Sequence, residues 1–340
     1  MLNHYDALLV LSFGGPEQMA DVMPFLRNVT RGRGVPERRL QVVAKHYEMF
    51  DGVSPINGQN RALVAALEEL FQEKGPDLPV YFGNRNWHPF VSDTLGTMIE
   101  DGVKRALVFV TSGFSSYSSC RQYLEDLESA RALYGDKAPA LEKLRVFYNH
   151  PGFVGPMAQS VQAALSVIPS DRRRSARILF TAHSLPLAMA QACNYELQLN
   201  ESCRLVADLA SLAHWELVYQ SRSGSPSQPW LGPDVCEQIT QLSRSGAVEF
   251  VLVPIGFLSD NMEVIYDLGV EAHQVGEELG VKVIRAATVG THPGFVEMIR
   301  QLVLERTDED SHRGVLGLLG PAPDVCVLDC CPSLGQLKTR

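Results

Sequence analysis

Eight short apolar runs punctuate the chain, and the segments between them carry helical rather than strand periodicity. The runs are DALLVLSF (6–13), LPVYFGN (78–84), RALVFVTS (105–112), LRVFYN (144–149), ARILFTAHS (176–184), ELVYQS (216–221), EFVLVPIGF (249–257) and VKVIRAA (281–287). A strand that is apolar on both faces has to be covered on both faces. Helical crossovers do this for parallel sheets, so the pattern predicts βαβ units. The intervening helices include RALVAALEELFQEKG (61–75) and GFVGPMAQSVQAALSVI (152–168). The predicted class is α/β: two Rossmann-like lobes, each with a roughly four-stranded parallel sheet flanked by helices, and a cleft between them. Proline and glycine in NHPGF break the pattern near residue 150. This gives an N-terminal lobe over 1–150, a C-terminal lobe over 151–315 and a cysteine-bearing tail over 316–340. At about 150 residues per domain the 340 residues make two domains, each large enough for its own core. No internal repeat is visible in the sequence.

A framework of this kind often binds nucleotides, but here the fingerprint is missing. SFGGPE follows the first strand, lacks the G-x-G-x-x-G spacing, and Pro16 removes an amide that would face phosphate. No P-loop is present either, so no nucleotide cofactor is expected, and the fold alone gives no function. The net charge of -9, from 30 basic and 39 acidic residues, argues against nucleic acid as a partner. The first apolar run is short, has no basic flank and ends in a glycine turn, which reads as a strand rather than a signal peptide. No apolar stretch approaches the ~20 residues of a membrane span. Peripheral membrane contact stays open. Without an export signal the seven cysteines are expected to be reduced and the protein cytoplasmic.

Ligands of open parallel sheets gather beyond the carboxyl ends of the strands. Two places there carry chemistry. ARILFTA ends in His183, and EFVLVPIGF leads into Asp260 and an acidic helix. At 100° per residue, Asp260, Glu263, Asp267 and Glu271 fall within an arc of about 80°, one stripe on one face. The stretch FLSDNMEVIYDLGVEAHQ supplies no lysine or arginine to pair with them. Asp260 and Glu263 have capping-box spacing, and a helix N-terminus favours acids. That reading does less for Asp267 and Glu271, since like charges at i,i+4 cost a few tenths of a kcal/mol. Imidazole beside carboxylates suits metal delivery coupled to proton removal, with divalent iron among the metals such ligands take.

FTAHSLP (180–186), YQSRSG with PWLGP (219–233) and PIGFLSDNMEV (254–264) resemble three signature segments of the ferrochelatases. LSFGGPE, GVSPINGQN and YFGNRNWHP extend the resemblance, in order, over nearly the whole chain. The N-terminal half is most similar to actinobacterial-type enzymes, which are similar to coproporphyrin III ferrochelatases. The resemblance implies a chelatase-like fold and insertion of Fe²⁺ into coproporphyrin III to form coproheme in heme biosynthesis, with a coproheme-handling enzyme downstream. It implies His183 beside the porphyrin as metal ligand or acceptor of pyrrole protons, and Glu263 as its acidic partner on the opposite side of the cavity. Asp267 and Glu271, with Asp260, would form an acidic track for iron or protons. Phe13 would cover the other macrocycle face, and Gln220, Ser221, Arg222 and Trp230 would line the pocket. Phe13, Trp230 and Phe257 are large enough to grip a ring, and Arg31, Arg33 and Arg85 are available to its propionates. Two alternatives remain: a protoporphyrin IX enzyme making protoheme, and a non-catalytic tetrapyrrole or metal carrier. Asn261 stands where many members have histidine, and Asn takes no proton at neutral pH. SRSGSPSQPW is also longer than the usual segment.

CVLDCC (326–331) places three of the seven cysteines within six residues. On the residues alone, free thiols, a Zn site and an iron–sulfur centre all remain open. The resemblance implies a [2Fe–2S] cluster held by Cys326, Cys330, Cys331 and one internal cysteine, with Cys120 ahead of Cys193, Cys203 and Cys236.

Overall fold

The computed structural model describes residues 4–224, 227–327 and 329–338. The first lobe runs β1 (Ala7–Ser12), α1 (Met19–Val29), α2 (Glu37–Glu48), α3 (Ile56–Lys74), β2 (Val80–Asn84), α4 (Val91–Glu100), β3 (Arg105–Val110), α5 (Gln122–Ala132) and β4 (Ala140–Lys143). The second runs α6 (Pro151–Ser166), β5 (Arg177–His183), α7 (Leu187–Gln191), α8 (Tyr195–Ala210), β6 (Trp215–Gln220), α9 (Val235–Arg244) and β7 (Glu249–Val253). A π-helical stretch (Val264–Glu271) then continues into α10 (Ala272–Leu279), followed by β8 (Lys282–Arg285), α11 (Pro293–Thr307) and α12 (Leu334–Lys338). All strand pairs within the two sheets are parallel.

The sheet orders are β2-β1-β3-β4 and β6-β5-β7-β8, the same topology twice. The sequence hides this repeat because a buried strand accepts many apolar residues of similar volume. Each sheet reverses direction of growth beside its first strand, and that crevice is where open α/β sheets bind ligands. Phe13 directly follows β1 and His183 ends β5, so the two residues occupy equivalent crevices of the two lobes.

Seven expected strands match in position, but the run 144–149 does not. Its sheet partner is Ala140–Lys143, in register with Arg105–Val108. One further bond, Leu144 N–H to Val108 O at 2.9 Å, ends the ladder. Val146, Phe147 and Tyr148 are buried without being a strand, because the chain dives into the core there. A short apolar run does not separate these cases. Arg145, 2% exposed, makes a bidentate pair with Glu305 of α11 at 2.7 and 2.8 Å.

Each lobe has an apolar core of its own, around Leu95 and Val108 in the first and Leu252 and Val264 in the second, and a larger core is shared between them. This shared cluster takes in Leu8, Phe109 and Phe147 from the first lobe and Phe180, Val253 and Phe295 from the second. Phe147 lies 5.4 Å from Phe109 and 6.0 Å from Phe295, ring centroid to centroid. A second bridge packs Met262, Ile265 and Tyr266 against Phe25, Tyr47 and Trp87, and His46 stacks on Tyr266 at 3.7 Å. The relative placement of the lobes is thereby fixed by packing. Among the described residues no helix is long and apolar enough to cross a membrane.

Candidate active site

β5 is buried up to Ala182, and His183 is its first residue to reach the crevice, with 33% of the side chain exposed. Nδ1 hydrogen-bonds the Ser184 carbonyl, which only accepts, so Nδ1 carries a proton. Nε2 lies 3.3 Å from Glu263 Oε1. Burial opposes the imidazolium, but Glu263, the Ser184 carbonyl and Asp267 outweigh it and raise the His183 pKa to about 9. At neutral pH His183 is therefore held as the imidazolium.

Glu263 does not stand on the opposite side of a cavity. β7 neighbours β5 in the sheet, so the connection after β7 brings the acidic helix directly onto the edge of His183. Asp260 does not make the expected capping box. Asn261 caps instead, its Oδ1 accepting from Val264 N at 2.9 Å, which needs an acceptor rather than a titrating group. Asp260 turns away and pairs with Arg285 of β8 at 2.8 and 3.1 Å. It thus leaves the acidic stripe. Among the described residues, no lysine or arginine forms an ion pair with Glu263, Asp267 or Glu271.

From Val264 to Glu271 the helix is π-helical. The wider turn of an i→i+5 helix keeps residues four apart nearly in line, and such stretches concentrate at functional sites. Asp267 accepts from the Ser221 hydroxyl and, at 3.4 Å, from Gln220 Nε2. Gln220, 1% exposed, also donates to the Glu263 carbonyl at 2.8 Å, so it braces the acidic helix, and with Ser221 it lines the acidic cavity beside Asp267. Ser221 reaches Asp267 from a left-handed backbone, φ 60°. Burial raises the Asp267 pKa; the Ser221 bond opposes this, Glu263 and Glu271 add to it, and the result is about 7. Burial, then Asp234, raises Glu271 as well. A cavity of about 420 Å³ lined by Asp234, Cys236, Asp267, Glu271 and Glu278 lies at the far end of the file.

Phe13 is 36% exposed, edge-on to Phe25 at 6.3 Å and under the Arg85 guanidinium at 5.8 Å. Trp230 bridges to Pro186, three residues beyond His183, and covers Gly224, where a Cβ would come within 2.3 Å of the indole. Arg222 Nη2 donates to Gln228 O at 3.3 Å, within its own loop. Residues 225 and 226 of that longer loop lie outside the described residues. Phe257 is 8% exposed and belongs to the core of the second lobe, so it does not grip a ligand. Arg85 is committed to Asp126 and to the face of Tyr123 at 4.4 Å, which removes it as a propionate partner; Arg31 and Arg33 are exposed. Tyr195 was not legible in advance. Its hydroxyl donates to the His183 carbonyl at 3.1 Å, a contact made by the turn between α7 and α8 and carried by no spacing rule.

All seven cysteines are free. The Cys330 and Cys331 sulfurs lie 3.2 Å apart, while Cys326, with burial, pushes the Cys120 thiol up and Cys120 draws Cys326 down. The Cys193 thiol donates to the Met189 and Ala190 carbonyls at 3.2 and 3.5 Å. Among the described residues, no three or more His, Cys, Asp or Glu side chains stand together as a metal-ion site.

With this geometry in place, comparison with known proteins is informative. The family model described as ferrochelatase matches residues 5–307. A ferrochelatase of Rhodopirellula baltica is 54% identical, covering 96% of this chain and 93% of its own. A coproporphyrin III ferrochelatase of Frankia alni is 51% identical, covering 96% and 86%. The structure of SirB from Bacillus subtilis with Fe³⁺ superposes with a TM-score of 0.58 at 10% identity, covering 92% of this chain and all of SirB, which speaks for the fold alone.

Proposed function

The chain belongs to the ferrochelatase family, and from that membership we propose that its porphyrin is coproporphyrin III, metallated with Fe²⁺ to coproheme. The name carried by the Frankia relative supports this choice over protoporphyrin IX. The observation that carries metal insertion is the His183–Glu263 contact at a strand-end crevice, backed by Asp267 and Glu271, with which no lysine or arginine among the described residues forms an ion pair.

Insertion requires two pyrrole protons to leave while Fe²⁺ sheds water and enters the ring. Glu263 and His183 Nε2 offer an oxygen and a nitrogen ligand on one side of the site. His183 begins protonated, so its proton must move on before Nε2 accepts another or meets the metal. Asp267, titrating near neutrality, is the group able to take that proton and hand it towards Glu271 and the acidic cavity. Gln220 and Ser221 hold Asp267 in place for this. Phe13, at the equivalent crevice of the other lobe, offers an apolar face to the macrocycle. Bending the ring to expose its lone pairs typically costs ~1–5 kcal/mol, drawn from binding elsewhere. Anaerobic mixing of the protein with Fe²⁺ and each porphyrin tests the reading. Metallation of coproporphyrin alone is expected. Preference for protoporphyrin IX would overturn the substrate, and tight binding of both without turnover would make the protein a carrier.

The tail supports a second element of the proposal. Cys120, Cys326, Cys330 and Cys331 are free, soft thiols, the last two with sulfurs 3.2 Å apart, and such donors suit a [2Fe–2S] cluster. When bound, such a cluster cross-links the tail to the body. Catalysis has its own residues. The free thiols also favour a reducing, cytoplasmic location, and the product calls for an enzyme that takes up coproheme.

A further inference from the structure

Building on the His183–Glu263 reading, we propose that Gln59 is a positioning residue for Glu263: from the first lobe it fixes the backbone on which the acidic helix of the second lobe starts. Gln59 stands in the first turn of α3, in GVSPINGQN, a motif that the site described above leaves unused. Its Oε1 accepts a hydrogen bond from the Asp260 backbone N–H at 2.8 Å. Asn261 caps the acidic helix, so the Asp260 N–H lies just ahead of the cap and finds its acceptor in the other lobe.

The same turn of α3 also holds the crevice of the first lobe. Asn57, fully buried, donates to the Gly15 and His88 carbonyls at 3.1 and 3.2 Å and accepts from Asn84 at 3.2 Å. Asn60, 2% exposed, donates to the Ser12 hydroxyl at 2.7 Å. Ser12 and Gly15 bracket Phe13. Gln59 is turned about 100° round the helix from Asn60, which lets it reach a different neighbour. Three amides of one turn thus set the Phe13 loop, the loop after β2 and the start of the acidic helix in a common frame.

A second contact from the first lobe acts on the same helix. His46 of α2 stacks on Tyr266 at 3.7 Å with 7° between the rings. Asp260 and Tyr266 lie three residues on either side of Glu263, so the first lobe grips both flanks of the turn that carries it. Arg285 of β8 holds only the Asp260 side chain, and Gln59 holds its backbone. Glu263, with 43% of its side chain exposed, depends on the helix beneath it to stay 3.3 Å from His183. A misplacement on the order of 1 Å is enough to lower a rate roughly a hundredfold.

The test is steady-state insertion of Fe²⁺ into coproporphyrin III by Gln59→Met, which keeps an unbranched side chain and removes the acceptor. Thermal unfolding confirms the fold, and Gln59→Ala is the second variant without an acceptor. In each, kcat is expected to fall roughly tenfold to a hundredfold while the KM for porphyrin stays within about twofold, because Asn57 and Asn60 still hold the Phe13 loop. Since Gln59 acts through Glu263, Gln59→Met combined with Glu263→Gln is expected to be no slower than Glu263→Gln alone. Undiminished kcat in a folded Gln59 variant, a change confined to the porphyrin KM, or losses that multiply in the double variant overturn the inference. Undiminished turnover by Glu263→Gln overturns the His183–Glu263 reading on which it rests.

Discussion

Asp267→Asn should make the protein more stable and less active, and the stability gain should grow with pH. Burial, with Glu263 and Glu271 nearby, lifts the carboxyl from its usual range to about 7, against 3.8 unperturbed. Between those values the folded chain holds a proton that the unfolded chain has released. The folded state therefore binds more protons, and stability falls as pH rises through that window. Each unit is worth about 1.4 kcal/mol, so the ionised side chain costs the fold roughly 4 kcal/mol above pH 7. An asparagine has no such penalty, and its Oδ1 still accepts from Ser221.

Between pH 5.5 and 8 the Asn variant should gain about 2 kcal/mol on the parent protein. With roughly 2.1 cal/mol/K of unfolding entropy per residue, that is on the order of 3 °C in Tm. The His183 titration, also unfavourable to the fold as pH rises from 6.5 towards 9, is present in both proteins and largely cancels. The assay is thermal unfolding of both proteins at the two pH values, followed by circular dichroism. A Tm difference independent of pH would refute the claim that Asp267 is a strained, titrating acid. Unimpaired metal insertion by the variant would refute its place in the proton path.

His183→Ala should abolish insertion while leaving the Tm near that of the parent; near-normal turnover under anaerobic assay would exclude the imidazole as the essential group. Glu305→Gln should destabilise the protein by about 3–5 kcal/mol, because it leaves the buried Arg145 charge without its partner, and denaturant titration reads this directly. Cys331→Ser should remove iron–sulfur absorbance from the reconstituted protein, and an unchanged spectrum would rule it out as a ligand.

The sheets were legible because their strands are apolar on both faces, which few other structures permit. The exception, residues 144–149, is instructive: those side chains are buried by the junction of the two lobes, and sequence does not say whether burial comes from a sheet or from another lobe. His183 and Glu263 were legible as residues but not as a contact, since their 3.3 Å approach depends on β5 and β7 being sheet neighbours. Asp260 was misassigned for a related reason. Helical spacing put it in the stripe, but Arg285 on β8, far along the chain, takes it out. Tyr195 gave no signal because a turn between two helices brings its hydroxyl to the His183 carbonyl.

The absence of bases from the acidic helix now has a physical reason. A lysine or arginine beside Asp267 would favour its ionised form and drag its pKa back towards or below the ordinary carboxylate range. The acid would then be a fixed charge, unable to take the proton that His183 holds at neutral pH. Leaving it unpaired costs stability but keeps it poised where proton transfer needs it. The same requirement does not apply to Asp260, which lies outside the file, and there the fold does supply an arginine. Selective neutralisation, with Arg285 on Asp260 and, among the described residues, no lysine or arginine on the acids that follow His183, fits the proton path proposed above. A merely solvated helix face would give no reason for the distinction.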